Sequence, residues 1–391
     1  METGILKLAE AEVKYSFLKD GDNNWLQFWY VIIPKKPEQI AKQLKTIEKA
    51  ESELYETFKI EVESVAAKRF FSSDLINHSR EFINYKKRQA GDFFMSLTGQ
   101  PPASGVKATL LGMCLSNIKV NSKFREGKIF RFDTTSGIRH IFAESIIDAN
   151  ADEHADSEKQ TKRIFGFLKD KFSDFHASFA ESVLRTWIYV PHIDADYPGM
   201  VKARKEFFDS VNLTKDTRYI ASTGIQGKSG DRFARVFMDA YAATGVNKGK
   251  IRYIQAPEYL SPTHIYGVTF ERATAVELGK SDFLFISGTA SIDKEGAVVH
   301  PENVKKQTEH TLQNISALIS SAGFARKDLS SFIVYLRDPA DYDFVKPRID
   351  RYAENLPAVY VKAPACRPSW LIEIEATAAR FLNKLQQTKR L

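Results

Sequence analysis

The segment Cys366–Ala376 reads Cys-Arg-Pro-Ser-Trp-Leu-Ile-Glu-Ile-Glu-Ala. From Leu371 onward, apolar and acidic residues alternate with the period of a β-strand. Glu373 and Glu375 therefore share one face, and Ile372 and Ile374 the other. A carboxylate on a core strand is costly unless it is paired or used in chemistry. Arg367, close by in sequence, and Arg337, upstream, are guanidinium groups able to lie beside it. Carboxylates and arginines converging on a strand are what acid catalysis on an anionic substrate requires.

The elements that must hold these groups are legible from residue 257 onward. Phe283–Ser287 is an apolar strand followed by Gly288-Thr289-Ala290-Ser291. A helix follows, with Val304, Thr308, Leu312, Ile315 and Ile319 at helical spacing, and Gly323 ends it. Phe332–Leu336 predicts a second strand running into Arg337, Tyr342 to Glu354 a second helix, and Val359–Lys362 and Leu371–Thr377 two more strands. The same order occurs earlier. A Thr-Thr-Ser-Gly turn at 134–137 precedes a strand with Ile141 and Phe142. One helix is predicted through Ile164, Leu168, Phe172, Phe175, Phe179 and Val183. Then come the strand Leu184–Val190, a helix near Tyr197, and strands at Tyr219–Ser222 and Arg235–Tyr241.

Details of the two segments match as in a duplication. Asp196-Tyr197 precedes the second helix of one copy and Asp341-Tyr342 that of the other, with Arg204 and Arg348 further along each helix. Val236–Ala240 registers against Ile372–Ala376, which sets Phe237 where the other copy has Glu373. Chemistry that depends on the acid thus belongs to the second copy. The pattern predicts an α+β fold, each sheet with helices packed on one face. Residues 106–256 form a degenerate unit and 257–391 the unit carrying the acid. Residues 1–105 are an N-terminal α/β extension with a strand at Trp25–Ile33 and a helix from Pro37 to Phe58. Pro101–Gly105 is its boundary, and no chemistry is assigned there.

Bulk properties narrow the function classes. The chain has 391 residues, 43% hydrophobic and 27% charged, as in a globular and not a disordered protein. No apolar run is long enough for a signal peptide or a membrane span, so a cytoplasmic location is expected. Cys114 and Cys366 are too few for a disulfide framework, and neither they nor the eight histidines show metal-ligand spacing, so no metal is expected. The formal charge is +7, but the basic residues are interspersed with 49 acids and form no block for nucleic acid. Attraction of a small anionic substrate explains the excess equally well. Gly224–Gly230 lacks the spacing of a phosphate-binding loop and reads as a turn between strands.

The order of elements, with Ser287-Gly288 and the Ile372–Ala376 close, resembles the RidA/YjgF superfamily. The small RidA deaminases carry an arginine just after a proline near the penultimate strand. Here Pro357 is followed by Ala358 and Val359, which argues against imine deamination. A longer resemblance, over about residues 110–385, is to the chorismatases, which join a degenerate unit to a functional one. It rests on Arg185–Pro191, Ala221–Ile225, Phe270–Ala273, Ser287–Ser291 and Cys366–Pro368 followed by Glu373.

This resemblance implies two tandem RidA/YjgF-like (chorismate-mutase-like) units, threefold packing met by a homo-oligomer such as a trimer, chorismate as substrate and no cofactor. It implies Glu373 as the acid that protonates an enolpyruvyl ether, with partial desolvation from Trp370. Cys366 corresponds to a residue that directs product choice in some members, or is a small buried apolar side chain. Arg185, Arg337 and Arg367 are the candidates for holding carboxylates, with surface ion pairs as the competing role. Phe270 and Ala273 would shape the wall or pack in the core, and Gly288 would let backbone approach the substrate or end a strand. The products would be pyruvate and either a hydroxybenzoate or a dihydroxycyclohexadiene carboxylate. A RidA-like deaminase and a non-catalytic small-anion or RNA-binding protein are the alternatives.

Overall fold

The computed structural model describes residues 1–20 and 24–382. Those residues form three six-stranded sheets, each with helices on one face. The first unit comprises β1 (Glu2–Lys7), β2 (Ala11–Asp20), β3 (Asn24–Pro34), α1 (Ile40–Phe58), β4 (Val65–Ser72), α2 (Leu75–Arg88), β5 (Phe94–Thr98) and β6 (Ala108–Leu115). The second holds β7 (Phe124–Glu126), β8 (Ile129–Asp133), β9 (Arg139–Ile147), α3 (Ser157–Asp174), the single turn α4 (Phe179–Ser182), β10 (Val183–Tyr189), α5 (Ile193–Ser210), β11 (Ala221–Ile225) and β12 (Phe237–Thr244). The third holds β13 (Ile251–Ile254), β14 (Ala273–Leu278), β15 (Ser281–Ala290), α6 (Val304–Ser321), β16 (Leu329–Leu336), α7 (Tyr342–Tyr352), β17 (Ala358–Lys362) and β18 (Ile372–Phe381).

All three sheets have one topology, with the unit's last long strand between its third and fourth and a single parallel pair at one edge. Alternation along the strands explains the packing. On β12, Phe237, Tyr241 and Ala243 face a core shared by all three sheets, whereas Met238, Ala240 and Ala242 face α3 and α5. Burying a large apolar side chain contributes about 1.5–3 kcal/mol, so a charged residue at an inward position such as Glu373 stands out.

The first unit corrects the sequence reading. Residues 1–115 are not an unlike extension but a third unit of the same topology. Pro101–Gly105 is a turn inside that unit, with Pro102 bridging to Val361 of the third. The repeat was hidden because β6 carries no acid; Thr109 and Leu111 stand where β18 has Glu373 and Glu375, counting from the bulge shared by β4, β10 and β16. Three sheets of one topology thus pack on one shared core inside a single chain. The helix expected to run to Val183 also ends early. It stops at Asp174, where His176 adopts φ +58°. Phe179 then packs back onto the helix and Val183 opens β10. Among the described residues no helix is long and apolar enough to cross a membrane.

Candidate active site

Glu373 and Glu375 point to the same side of β18 but meet opposite surroundings. Glu375 is saturated with donors: Trp187 Nε1 at 2.6 Å, Thr223 Oγ1 and Tyr335 OH at 2.9 Å, and Arg69 Nη1 at 3.1 Å. Arg185 Nη2 lies 2.9 Å from its second oxygen. Burial alone would raise its pKa, but Arg185, Arg69 and these hydrogen bonds outweigh it and hold the carboxylate below its ordinary range. Glu375 is a buried anion whose donors come from all three units.

Glu373 receives no hydrogen bond from the described residues. It is 5% exposed and lines a cavity of about 240 Å3 between the second and third units. Burial, and then the charge of Glu375, push its pKa up to about 8, against the pull of Arg185 and Arg272. At neutral pH it is a neutral acid with a proton to give. Its carboxyl packs over Gly288, where any Cβ would overlap Oε1 and crowd Thr223 Cγ2 at 3.0 Å. Gly288 lies at the bulge where β15 slips against β18, and its N–H donates to Thr223 Oγ1 at 3.0 Å.

Three guanidinium groups line the same cavity. Arg367 donates to Gly296 O at 2.9 Å and stacks over Trp370. Arg272 donates through Nε and Nη2 to Ser261 O and lies over Phe270. Arg204 comes from α5 of the second unit, on the buried stripe with Met200, Ala203 and Phe208. Its Nε donates to Thr269 Oγ1 at 3.1 Å, and its Nη2 is buried without a hydrogen-bond partner among the described residues. Cys366, Tyr197, Ser222 and Gly224 complete the polar part of the wall. Burial pushes the Cys366 thiol up to about 12, so it is neutral at physiological pH.

Of the residues singled out from sequence, Glu373, Cys366, Phe270, Gly288 and Arg367 come together here, with Trp370 beside them. The other three lie elsewhere. Arg185 is fully buried behind the cavity against Glu375. Arg337 turns outward to Asp194, at 3.2 Å, and to Ala365 O. Ala273 lies in the shared core on β14, opposite Ile286. Sequence reasoning gave no role to Arg204 or Arg272. The available signal was positional: Arg204 occupies the apolar stripe of its helix, where a charge needs a reason.

The sequence model for Endoribonuclease L-PSP matches residues 272–380. The 3-aminoacrylate deaminase RutC of Acinetobacter baylyi is 35% identical over 109 residues, 27% of this chain and 86% of the relative. A RutC family protein of Pyrococcus horikoshii is 35% identical over 99 residues, 25% of this chain and 79% of its own. The chain belongs to the RidA/YjgF (RutC) family. Its membership lies in the third unit, the one bearing Glu373. Over 95% of its length the chain also superposes on all of a crystallised chorismatase, with a TM-score of 0.61 and 17% identity. That likeness is one of fold. Val359, two residues after Pro357, is fully buried in β17.

Proposed function

We propose that this RidA/YjgF protein is a cofactor-independent chorismatase. One observation carries the reading: a buried carboxyl, whose pKa burial raises to about 8, faces a cavity lined by three guanidinium groups. Chorismate bears two carboxylates and an enolpyruvyl ether. Arg204, with its unpartnered Nη2, together with Arg272 and Arg367, would grip the carboxylates. Glu373 would then deliver its proton to the terminal methylene carbon, giving an oxocarbenium ion and the Glu373 carboxylate.

Two outcomes balance. Attack by water yields a hemiketal that collapses to pyruvate and a dihydroxycyclohexadiene carboxylate. Cleavage of a ring carbon–oxygen bond, its electron pair leaving with the oxygen as a ring proton is lost, aromatises the ring and yields pyruvate and a hydroxybenzoate with no net water. In either case a proton returns to Glu373. The assay is pyruvate release from chorismate, coupled to lactate dehydrogenase. Because the acid form is the active one, turnover should fall as pH rises through about 8. Pyruvate formation undiminished in Glu373→Gln would sink the assignment. The 35% identity to 3-aminoacrylate deaminase favours a second reading, imine or enamine deamination. Ammonia release from 2-aminoacrylate would support it, against the buried Val359.

A further inference from the structure

The proton on Glu373 has a structural problem to solve. Arg185 is fully buried close behind it, and an unopposed guanidinium there would favour the ionised acid. Arg185 instead pairs with Glu375 at 2.9 Å and donates to Thr223 Oγ1. Glu375 in turn takes Arg69, which crosses from β4 of the first unit to reach it at 3.1 Å. The far side of Arg69 donates to Tyr189 OH at 2.8 Å, and Tyr189 OH lies 3.4 Å from Asp239. The result is an alternating row of charges across all three units, two residues away on the strand from the candidate acid.

We propose that Glu375, Arg185 and Arg69 are positioning residues that set the charge felt by Glu373, so that the N-terminal unit acts on the reaction through Arg69. The inference rests on the assignment of Glu373 as the acid. The other groups facing Glu373 are Cys366 and Arg367 on the preceding loop, Tyr335 on β16, Arg272 before β14, and Arg204 and Tyr197 on α5. β15 presents Gly288 and Ala290, which carry no charge. Glu375 is the sole anion of this set, and its carboxylate is what opposes Arg185.

Glu375 and Arg69, neighbours in the row, have opposite signs, and this makes the inference testable. Glu375→Gln removes the anion and leaves Arg185 unopposed, so Glu373 should ionise at lower pH. Arg69→Met removes a cation from Glu375, so Glu373 should ionise at higher pH, while Arg69→Lys should restore the wild-type midpoint. The readout is the titration of Glu373 in ligand-free protein carrying carboxyl-13C glutamate, with its signal assigned by loss in Glu373→Gln. Midpoint shifts of about one pH unit in opposite directions are expected, each equal to ~10-fold in the protonated fraction. Either variant that folds decides the matter. An unmoved midpoint, or two shifts of the same sign, overturns it. Correct shifts without pyruvate from chorismate would keep the charge row and reject the chorismatase reading.

Discussion

β12 and β18 occupy the same place in sister units, yet only one presents chemistry. At the position of Glu373 the second unit has Phe237, whose ring stacks on Tyr189 at 4.6 Å. At the position of Gly288 it has Ser145, in a left-handed conformation (φ +45°), with its N–H donating to Asp239 at 2.6 Å. At the position of Glu375 it keeps an acid, Asp239, whose pKa burial raises and Arg69 and hydrogen bonds lower less strongly. The strand without a cavity acid fills the space with an aromatic ring. The strand that kept it needed a neighbour without a side chain and a cavity completed from outside. That completion comes from the degenerate unit itself, through Arg204 and Tyr197. Degenerate here means without an acid, not without a part in the site.

The comparison can be broken most sharply by exchanging its key side chains. Glu373→Gln should lower pyruvate release by about 10²–10⁴-fold, the span of general-acid catalysis. Adding Phe237→Glu to that variant should restore nothing, because no ring of three arginines faces position 237. The added carboxyl, set where a stacked ring was, should cost roughly 3–5 kcal/mol in urea unfolding. Recovered turnover would show that the acid alone separates the two units.

A milder change asks whether the bulge matters. Gly288→Ala should displace the Glu373 carboxyl and cut turnover by about 10²-fold, the cost of a misplacement near 1 Å. Thermal unfolding should shift far less than activity. Smaller still is Arg204→Met, which removes the second unit's cation. It should lower kcat/KM by at least ~30-fold, or about 2 kcal/mol. The loss should reside mainly in KM, as expected for a group that grips substrate. An unchanged KM would detach the second unit from binding.

Much of the third unit was legible because its periodicities are clean and its acid sits on an alternating strand. Strand β18 and helix α6 fall within a few residues of the pattern. The first unit escaped because repeats are recognised by matching residues, and Thr109 and Leu111 match neither Glu373 and Glu375 nor Phe237 and Asp239. Its kinship lies in strand order, which single residues do not reveal. The site was legible where groups sit on the same unit as the acid. Arg337, at a strand end, satisfied the same sequence logic as Arg367, yet the turn after β16 points it toward Asp194. Arg204 went unassigned because it reaches the cavity from another unit, and no local spacing encodes a wall shared with Glu373 of the third unit.

The tandem arrangement has a consequence for how the molecule behaves when scarce. An assembly of separate subunits falls apart on dilution, and any site shared between partners is lost with it. Here the walls of the cavity are joined by peptide bonds, so its completeness does not depend on concentration. The same linkage lets each module drift by itself, since a substitution is written once per molecule instead of three times.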